Sequence, residues 1–442
     1  MVVIIQVGIS IPPQLWWGIM GKSMTEAWPP VLSSTSMDPA HWTYHAEGAA
    51  NILVRYVGPH VWPFCNTRGG DEVMVLRIPK KIHALDAEQV PAADIFLSQV
   101  LVHVLPSTSL PCMRRLDMDA SWLPFLQALA DKCEPIRPNL RKSAGGMDMS
   151  TPHIWMMRDD SRPPPESRLV VEIKPKCGYL PSLSTTRYPC KASMPKCHIQ
   201  KLYQLGQKAQ GVDTHVWYNP LDLFSGDEGR IQRAVDALLD DWTHGSGYLH
   251  IFVDGSRMPF GEVQKHIPWL KVPKLLSWRI TQILTENRHL LHTLAHQQQR
   301  LDPYDIEGIA QLWHARTGKT LNSTPVEELP RITLADYAFV AANSGPVVSS
   351  DKDMHYVMAA YLLAATLKDV TLFIPLDDVE GTPMYRASPI GVRIVDLDAK
   401  RPSKLCQHAS KDAAMSAFVH RLAPDYRCAT HTSDTSDARI CT

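Results

Sequence analysis

The apolar positions of this chain fall first into short β-branched runs between polar turns and then into longer helical stretches. Ile52-Leu53-Val54-Arg55-Tyr56-Val57 and Val73-Met74-Val75-Leu76-Arg77-Ile78 predict two strands within residues 38–81, joined by a polar loop ending in Gly69-Gly70-Asp71. Residues 88–133 read as helical, with a break near Leu105-Pro106. Ile154-Trp155-Met156-Met157 predicts a further buried strand, and residues 158–165 a polar, proline-rich hinge. An antiparallel sheet, a helix and then a hinge is the layout expected of a nucleotide-clamping N-terminal lobe. Beyond the hinge, Leu169-Val170-Val171 opens another strand. Helices are expected at about 228–242, 260–299 and 353–367, and strands at 370–374 and 392–395.

A length of 442 residues suits two lobes better than one core. The reading is an N-terminal extension over 1–36, an N-lobe over 37–160, a C-lobe over 161–430 and a polar tail over 431–442. Lys+Arg and Asp+Glu balance at 45 each, so no global field favours nucleic acid or a membrane surface. No run of 18 apolar residues predicts a membrane span. Nine cysteines without a CxxC argue for a reducing compartment, nuclear or cytoplasmic, and against a disulfide scaffold. The chain is expected to be a monomer.

Charge becomes informative locally. Between residues 168 and 208 stand Arg168, Lys174, Lys176, Arg187, Lys191, Lys196, Lys201 and Lys208 against one acid, Glu172. In a neutral protein such a stretch points to a small polyanion. Lys174 and Lys176 follow a β-branched approach and are separated by Pro175, so strand alternation would aim both the same way from a strand end. Two ammonium groups held side by side call for anions between them; a solvated edge-strand pair is the plainer alternative. Glu47-Gly48-Ala49-Ala50-Asn51 offers small residues ahead of a strand, where backbone N–H groups could approach phosphate, or simply turn a hairpin. Arg77, on the opposing strand, could reach the same phosphates. Lys368-Asp369 ends a small-residue helix before a strand, a place for a general base or metal ligand. Asp396 closes the strand at 392–395 as a second candidate carboxylate for Mg²⁺, with Lys400, Arg401 and Lys404 following. Arg316-Thr317-Gly318-Lys319-Thr320 is no P-loop, because Trp313 occupies the first glycine position; HRDxxxxN and DFG are absent too.

Taken in order across about residues 38–408, these segments resemble the inositol-pentakisphosphate 2-kinase family. The matching segments are the 44–51 loop, Val75-Leu76-Arg77-Ile78, EIKPKCG at 172–178 and YNPLDLFSG at 218–226. Asp305-Ile306-Glu307-Gly308 and the AATxKD block at 364–369 complete them. The resemblance implies an α+β, two-lobed kinase-like fold whose enlarged C-lobe holds the inositol phosphate, with ATP and Mg²⁺ as co-substrate and cofactor. It further implies Asp369 as the base facing the 2-hydroxyl (and a possible metal ligand), Lys174 at the transferring phosphoryl and Asp396 on Mg²⁺. Glu47, Gly48, Ala49, Ala50, Asn51, Arg77, Asp159 and Glu172 would bind nucleotide. Arg137, Lys176, His198, Lys201, Lys400 and Lys404 would bind the inositol phosphate. The chain departs from the pattern at Met194 and Leu202, which stand where the family has arginine and lysine, and at Ala46 and Ala49, which replace two loop glycines. Gln311 takes a zinc-binding histidine position and no CxxC follows, so no structural zinc is expected. A kinase of altered specificity and a noncatalytic inositol-phosphate binder are the alternatives.

Overall fold

The computed structural model describes residues 37–59, 73–81, 90–143, 145–162, 169–207, 216–244, 247–266, 273–345, 353–376 and 391–422. The expected 1–36 extension, the loop ending in Gly69-Gly70-Asp71, the end of the 158–165 hinge and the 431–442 tail lie outside these residues. The chain is mixed α+β and divides into two compact units, Met1–Ala84 with Cys112–Asp159, and Leu85–Pro111 with Asp160–Thr442.

The smaller unit is built on five antiparallel strands, β1 (Trp42–Glu47), β2 (Asn51–Tyr56), β3 (Met74–Pro79), β4 (Met113–Asp117) and β5 (His153–Arg158), in the order β1-β2-β3-β5-β4. In β2, Ile52, Val54 and Tyr56 are buried while their neighbours are half-buried, the period-two signature of a sheet with one face on the core. The helix Leu123–Cys133 supplies the opposing layer with Phe125, Leu126, Leu129 and Cys133. Residues 88–133 are therefore not one broken helix. The segment contains the edge strand β4 and ends in a helix, and its first helix, Ala93–Gln99, belongs to the larger unit, where Phe96 meets Tyr337 edge to face at 5.3 Å.

The larger unit carries a second antiparallel sheet, β6 (Leu169–Ile173), β7 (Leu249–Val253), β8 (Ser256–Met258), β9 (Thr371–Leu376) and β10 (Arg393–Val395), in the order β10-β9-β6-β7-β8. Central β6 is buried at every position except Glu172. The helix Met354–Leu367 is buried at all but His355 and Tyr356; a helix apolar on all sides has to run through a core. The stretch expected as one helix over 260–299 contains Phe260–His266, Pro273–Glu286 and the start of Arg288–Leu301.

A buried ion cluster fastens four helices of this unit. Lys191, 4% exposed, contacts Asp305 and lies 2.6 Å from Asp412 and 3.4 Å from Glu307, while Lys196 reaches Asp412 at 3.2 Å. Among the described residues, these carboxylates are the one group of three ligand atoms close enough to share a metal. The Lys191 ammonium already fills that role. Removing it strands several buried anions, so Lys191→Met is expected to lower unfolding free energy by about 3–5 kcal/mol in urea titrations.

Candidate active site at one end of the second sheet

Strand register brings the site together. Ile173 pairs with Leu372 and with Leu249, so the residue after Ile173 comes opposite Thr371 on one side and Tyr248 on the other. That residue is Lys174, whose backbone N–H donates to the Tyr248 carbonyl at 2.8 Å. Val395 pairs with Thr371, which delivers Asp396 to the same end. The Lys174 ammonium accordingly donates to Thr371 Oγ1 at 2.8 Å and to Asp396 Oδ2 at 2.9 Å, and Thr371 Oγ1 donates to the same carboxylate oxygen at 3.0 Å. Asp369 arrives from the end of the core helix Met354–Leu367, two residues before β9, and its Oδ2 accepts from Lys400 at 2.6 Å.

Lys176 reaches this end by a different route from the one strand alternation predicts. The strand stops at Ile173, and Lys176 adopts a left-handed backbone with φ 64°. Its ammonium lies 4.5 Å from the Tyr248 ring centroid, a cation–π contact. Asp396 is likewise left-handed, at φ 63°.

Electrostatics follow from this crowding. Burial works against the charged form of Lys174, but the carboxylates of Asp396, Asp369 and Glu172 overcome it and raise its pKa. Burial lowers the pKa of Lys176; Asp369 opposes that shift and Lys174 adds to it. For Asp369, burial would raise the pKa, yet Lys400, Lys174 and Lys176 together hold it below the ordinary carboxylate range. Glu172 goes the other way: burial dominates, and its carboxyl is raised despite Lys174 and Arg257. The site therefore presents an ionised carboxylate at Asp369 beside the carboxyl group of Asp396, with side chains 55% and 60% exposed. Each gives one oxygen to a lysine, and half-exposed carboxylates of this kind suit a hard divalent cation that keeps some water.

His198, Lys201 and Lys404 are placed on helices of the same unit. His198 lies in the helix Lys196–Gln207, 7% exposed, with Nε2 2.8 Å from the Tyr218 carbonyl; burial lowers its pKa, so the ring is neutral. The Lys201 ammonium sits 4.7 Å from the Trp217 ring centroid. Lys404, in the helix Ser403–Arg421, donates to Gln407 at 2.8 Å. The departures Met194 and Leu202 belong to an apolar cluster with Cys190, Ile199, Met415 and Val419.

The smaller unit's expected binding residues, those for nucleotide together with Arg137 for the inositol phosphate, divide into two kinds. Gly48, Ala49 and Ala50 form an exposed turn between β1 and β2, closed by Gly48 N–H to the Asn51 carbonyl at 3.0 Å. Arg77 lies on β3 with its guanidinium 5.5 Å from the Trp155 ring centroid. Glu47, Arg137 and Asp159 are instead engaged in the protein's own ion pairs. The Glu47 side chain is 1% exposed, 2.5 Å from Lys80 Nζ and 2.8 Å from Arg137 Nη2. Burial would raise its pKa, but hydrogen bonds from Arg137 and Lys80 bring it below the ordinary value. Arg137 also donates to Glu134 at 2.7 Å and to the Gly145 carbonyl at 2.7 Å. Asp159, 3% exposed, accepts from Arg55 at 2.5 Å. Lys80 and Thr371 are the partners that sequence reasoning missed, since each reads alone as an ordinary strand-end residue.

A family model described as inositol-pentakisphosphate 2-kinase matches residues 44–414. A protein of that name from Cryptococcus neoformans var. neoformans serotype D is 27% identical over 400 residues, covering 86% of this chain and 93% of the relative. The Oryza sativa subsp. indica protein is 24% identical, covering 87% and 94%, and the Arabidopsis thaliana protein 22%, covering 87% and 94%. With so much of the chain matched in one collinear span, it belongs to the inositol-pentakisphosphate 2-kinase family.

Proposed function

We infer that this chain transfers the γ-phosphoryl group of ATP to the 2-hydroxyl of inositol 1,3,4,5,6-pentakisphosphate, giving the hexakisphosphate. The observation that carries the reading is the convergence of Lys174, Lys176, Lys400, Asp369 and Asp396 at one sheet end, with Lys174 and Asp396 delivered there by register and Lys400 paired with Asp369. Family membership supplies the reaction class. In this reading the Asp369 carboxylate takes the proton of the attacking hydroxyl as its oxygen bonds to the γ-phosphorus and the bond to the β–γ bridging oxygen breaks. Lys174 neutralises charge on the moving group, and Lys176 and Lys400 hold inositol phosphates, with His198, Lys201 and Lys404 as further contacts. Phosphoryl transfer asks mainly for positioning and charge neutralisation, which this set supplies. Asp396, with Asp369, would hold Mg²⁺, which supplies charge neutralisation on the nucleotide phosphates. For the smaller unit, the reading assigns nucleotide phosphates to the Gly48–Asn51 turn and Arg77. Two units that each have a five-stranded antiparallel sheet and a core of their own support a two-lobed kinase-like fold.

A second reading has its own observation. With Met194 and Leu202 packed into an apolar cluster, two cations of the family pattern are missing, which favours an acceptor with fewer phosphates. Turnover of Mg·ATP with the pentakisphosphate, run beside a lower inositol phosphate, decides between them. Faster turnover of the pentakisphosphate supports the first reading. Preference for the lower phosphate supports the second, and phosphate-independent inertness of both overturns each.

A further inference from the structure

Gln298 is a polar residue at a core position. In the helix Arg288–Leu301, Leu291, Leu294, Gln298 and Leu301 recur at the spacing of one buried face, and Gln298 is 0% exposed. Its three side-chain hydrogen bonds all go to backbone. Its Oε1 accepts from Gly178 N–H at 2.8 Å, and its Nε2 donates to the Lys176 carbonyl at 3.1 Å and to the Leu367 carbonyl at 2.9 Å. Leu367 ends the helix that presents Lys368 and Asp369, so Gln298 satisfies one of the carbonyls a helix C-terminus leaves unpaired. One amide side chain thus ties the loop bearing Lys176 to the turn bearing Asp369.

Two neighbouring observations point the same way. A Cβ on Gly178 would come within 2.7 Å of Phe224 and 2.9 Å of Ala295, so the loop is seated directly on this helix. One turn beyond Gln298, buried Asp302 accepts from Tyr179 at 3.1 Å and pairs with Lys368, bridging the same two segments again. Gln298 in the helix and Asp302 at its C-terminal cap thus form a double clamp.

We propose that Gln298 is a positioning residue, fixing Lys176 and its left-handed backbone relative to Asp369 through the amide bridge to Gly178, Lys176 and Leu367. The proposal rests on the kinase reading for its catalytic consequence, but the bridge itself does not. Gln298→Met keeps length and burial while removing every hydrogen bond. Gln298→Glu, when protonated, can still accept from Gly178 and donate to one carbonyl. The Met variant is expected to lose on the order of a hundredfold in kcat/KM for the pentakisphosphate, the scale of a small misplacement of reacting groups. Its KM for ATP should stay within about twofold of wild type, since the lost interactions lie on the acceptor side. Amide exchange should rise together in residues 176–179 and 368–370, while the helix Glu228–Thr243 stays protected.

The Glu variant should recover activity relative to wild type as pH falls, because a buried carboxyl regains its donor on protonation, whereas the Met variant's ratio should stay flat. If Gln298→Met does not fold, as thermal unfolding will show, the Glu variant's pH ratio and exchange carry the test. Wild-type kinetics, unchanged exchange in both segments, or a Glu ratio independent of pH each overturn the proposal. Wild-type protein inert toward the pentakisphosphate removes the kinase reading instead, and exchange then decides the bridge alone.

Discussion

Asp369→Asn should reduce phosphoryl transfer by about 10²–10⁴-fold, the range lost when a positioned base is removed. The substitution keeps the side chain's volume and takes away only its charge and its capacity to accept the hydroxyl proton. The fold should survive, because the carboxylate is 55% exposed and its partner Lys400 is a side chain that can turn to solvent. Thermal unfolding and ATP binding should stay near wild type. Wild-type kcat should also hold steady from neutral pH down to about pH 5: the ion pair with Lys400 and the nearby Lys174 and Lys176 keep Asp369 ionised below the ordinary carboxylate range. Asparagine turnover close to wild type would remove Asp369 from the base role.

The two lysines should fail in different ways. Lys174 touches Asp396 and Thr371, and its charge is wanted where negative charge shifts during transfer, so Lys174→Ala should lower kcat by about 10²–10³-fold. Lys176 stands outside the strand beside Tyr248, and in the present reading it contributes binding common to ground and transition states. Lys176→Ala should therefore chiefly raise KM for the inositol phosphate. Its defect should shrink as salt rises, since added ions screen a phosphate contact that the variant has already lost. Steady-state kinetics of both variants at two ionic strengths separates the cases. Equal defects in both parameters would end the division of labour, and wild-type behaviour in both would end the assignment.

Residues of the larger unit's site were legible in the sequence because they stand at strand and helix ends with contrasting chemistry. Lys174 follows a β-branched run, Asp369 an alanine-rich helix and Asp396 a short apolar strand, so each departs visibly from its surroundings. Register, which no single segment carries, is what joined them. The strand β4 escaped detection because its burial does not alternate: of Met113 to Asp117 only Leu116 is buried, as befits a sheet edge. The same pattern let a helical reading run through residues 88–133. Glu47 and Arg137 show another limit. A buried pair and a ligand-binding pair are spelled with the same residues, and only the partners, Lys80 and Glu134 among them, tell which is present. Gln298 was hidden for the opposite reason, being one of three consecutive glutamines of which only the apolar spacing singles out the middle one.

The left-handed backbone at Lys176 and Asp396 bears on how this enzyme could be hardened against heat. Side chains other than glycine hold that conformation at about 1–2 kcal/mol per residue. Glycine at either position would relieve the strain, with its greater freedom in the unfolded chain cancelling only part of the gain. Variants sorted by thermal resistance alone would thus drift toward glycine at 176 and 396, losing the ammonium and the carboxylate that the proposed chemistry uses. At these two positions durability and turnover select opposite residues.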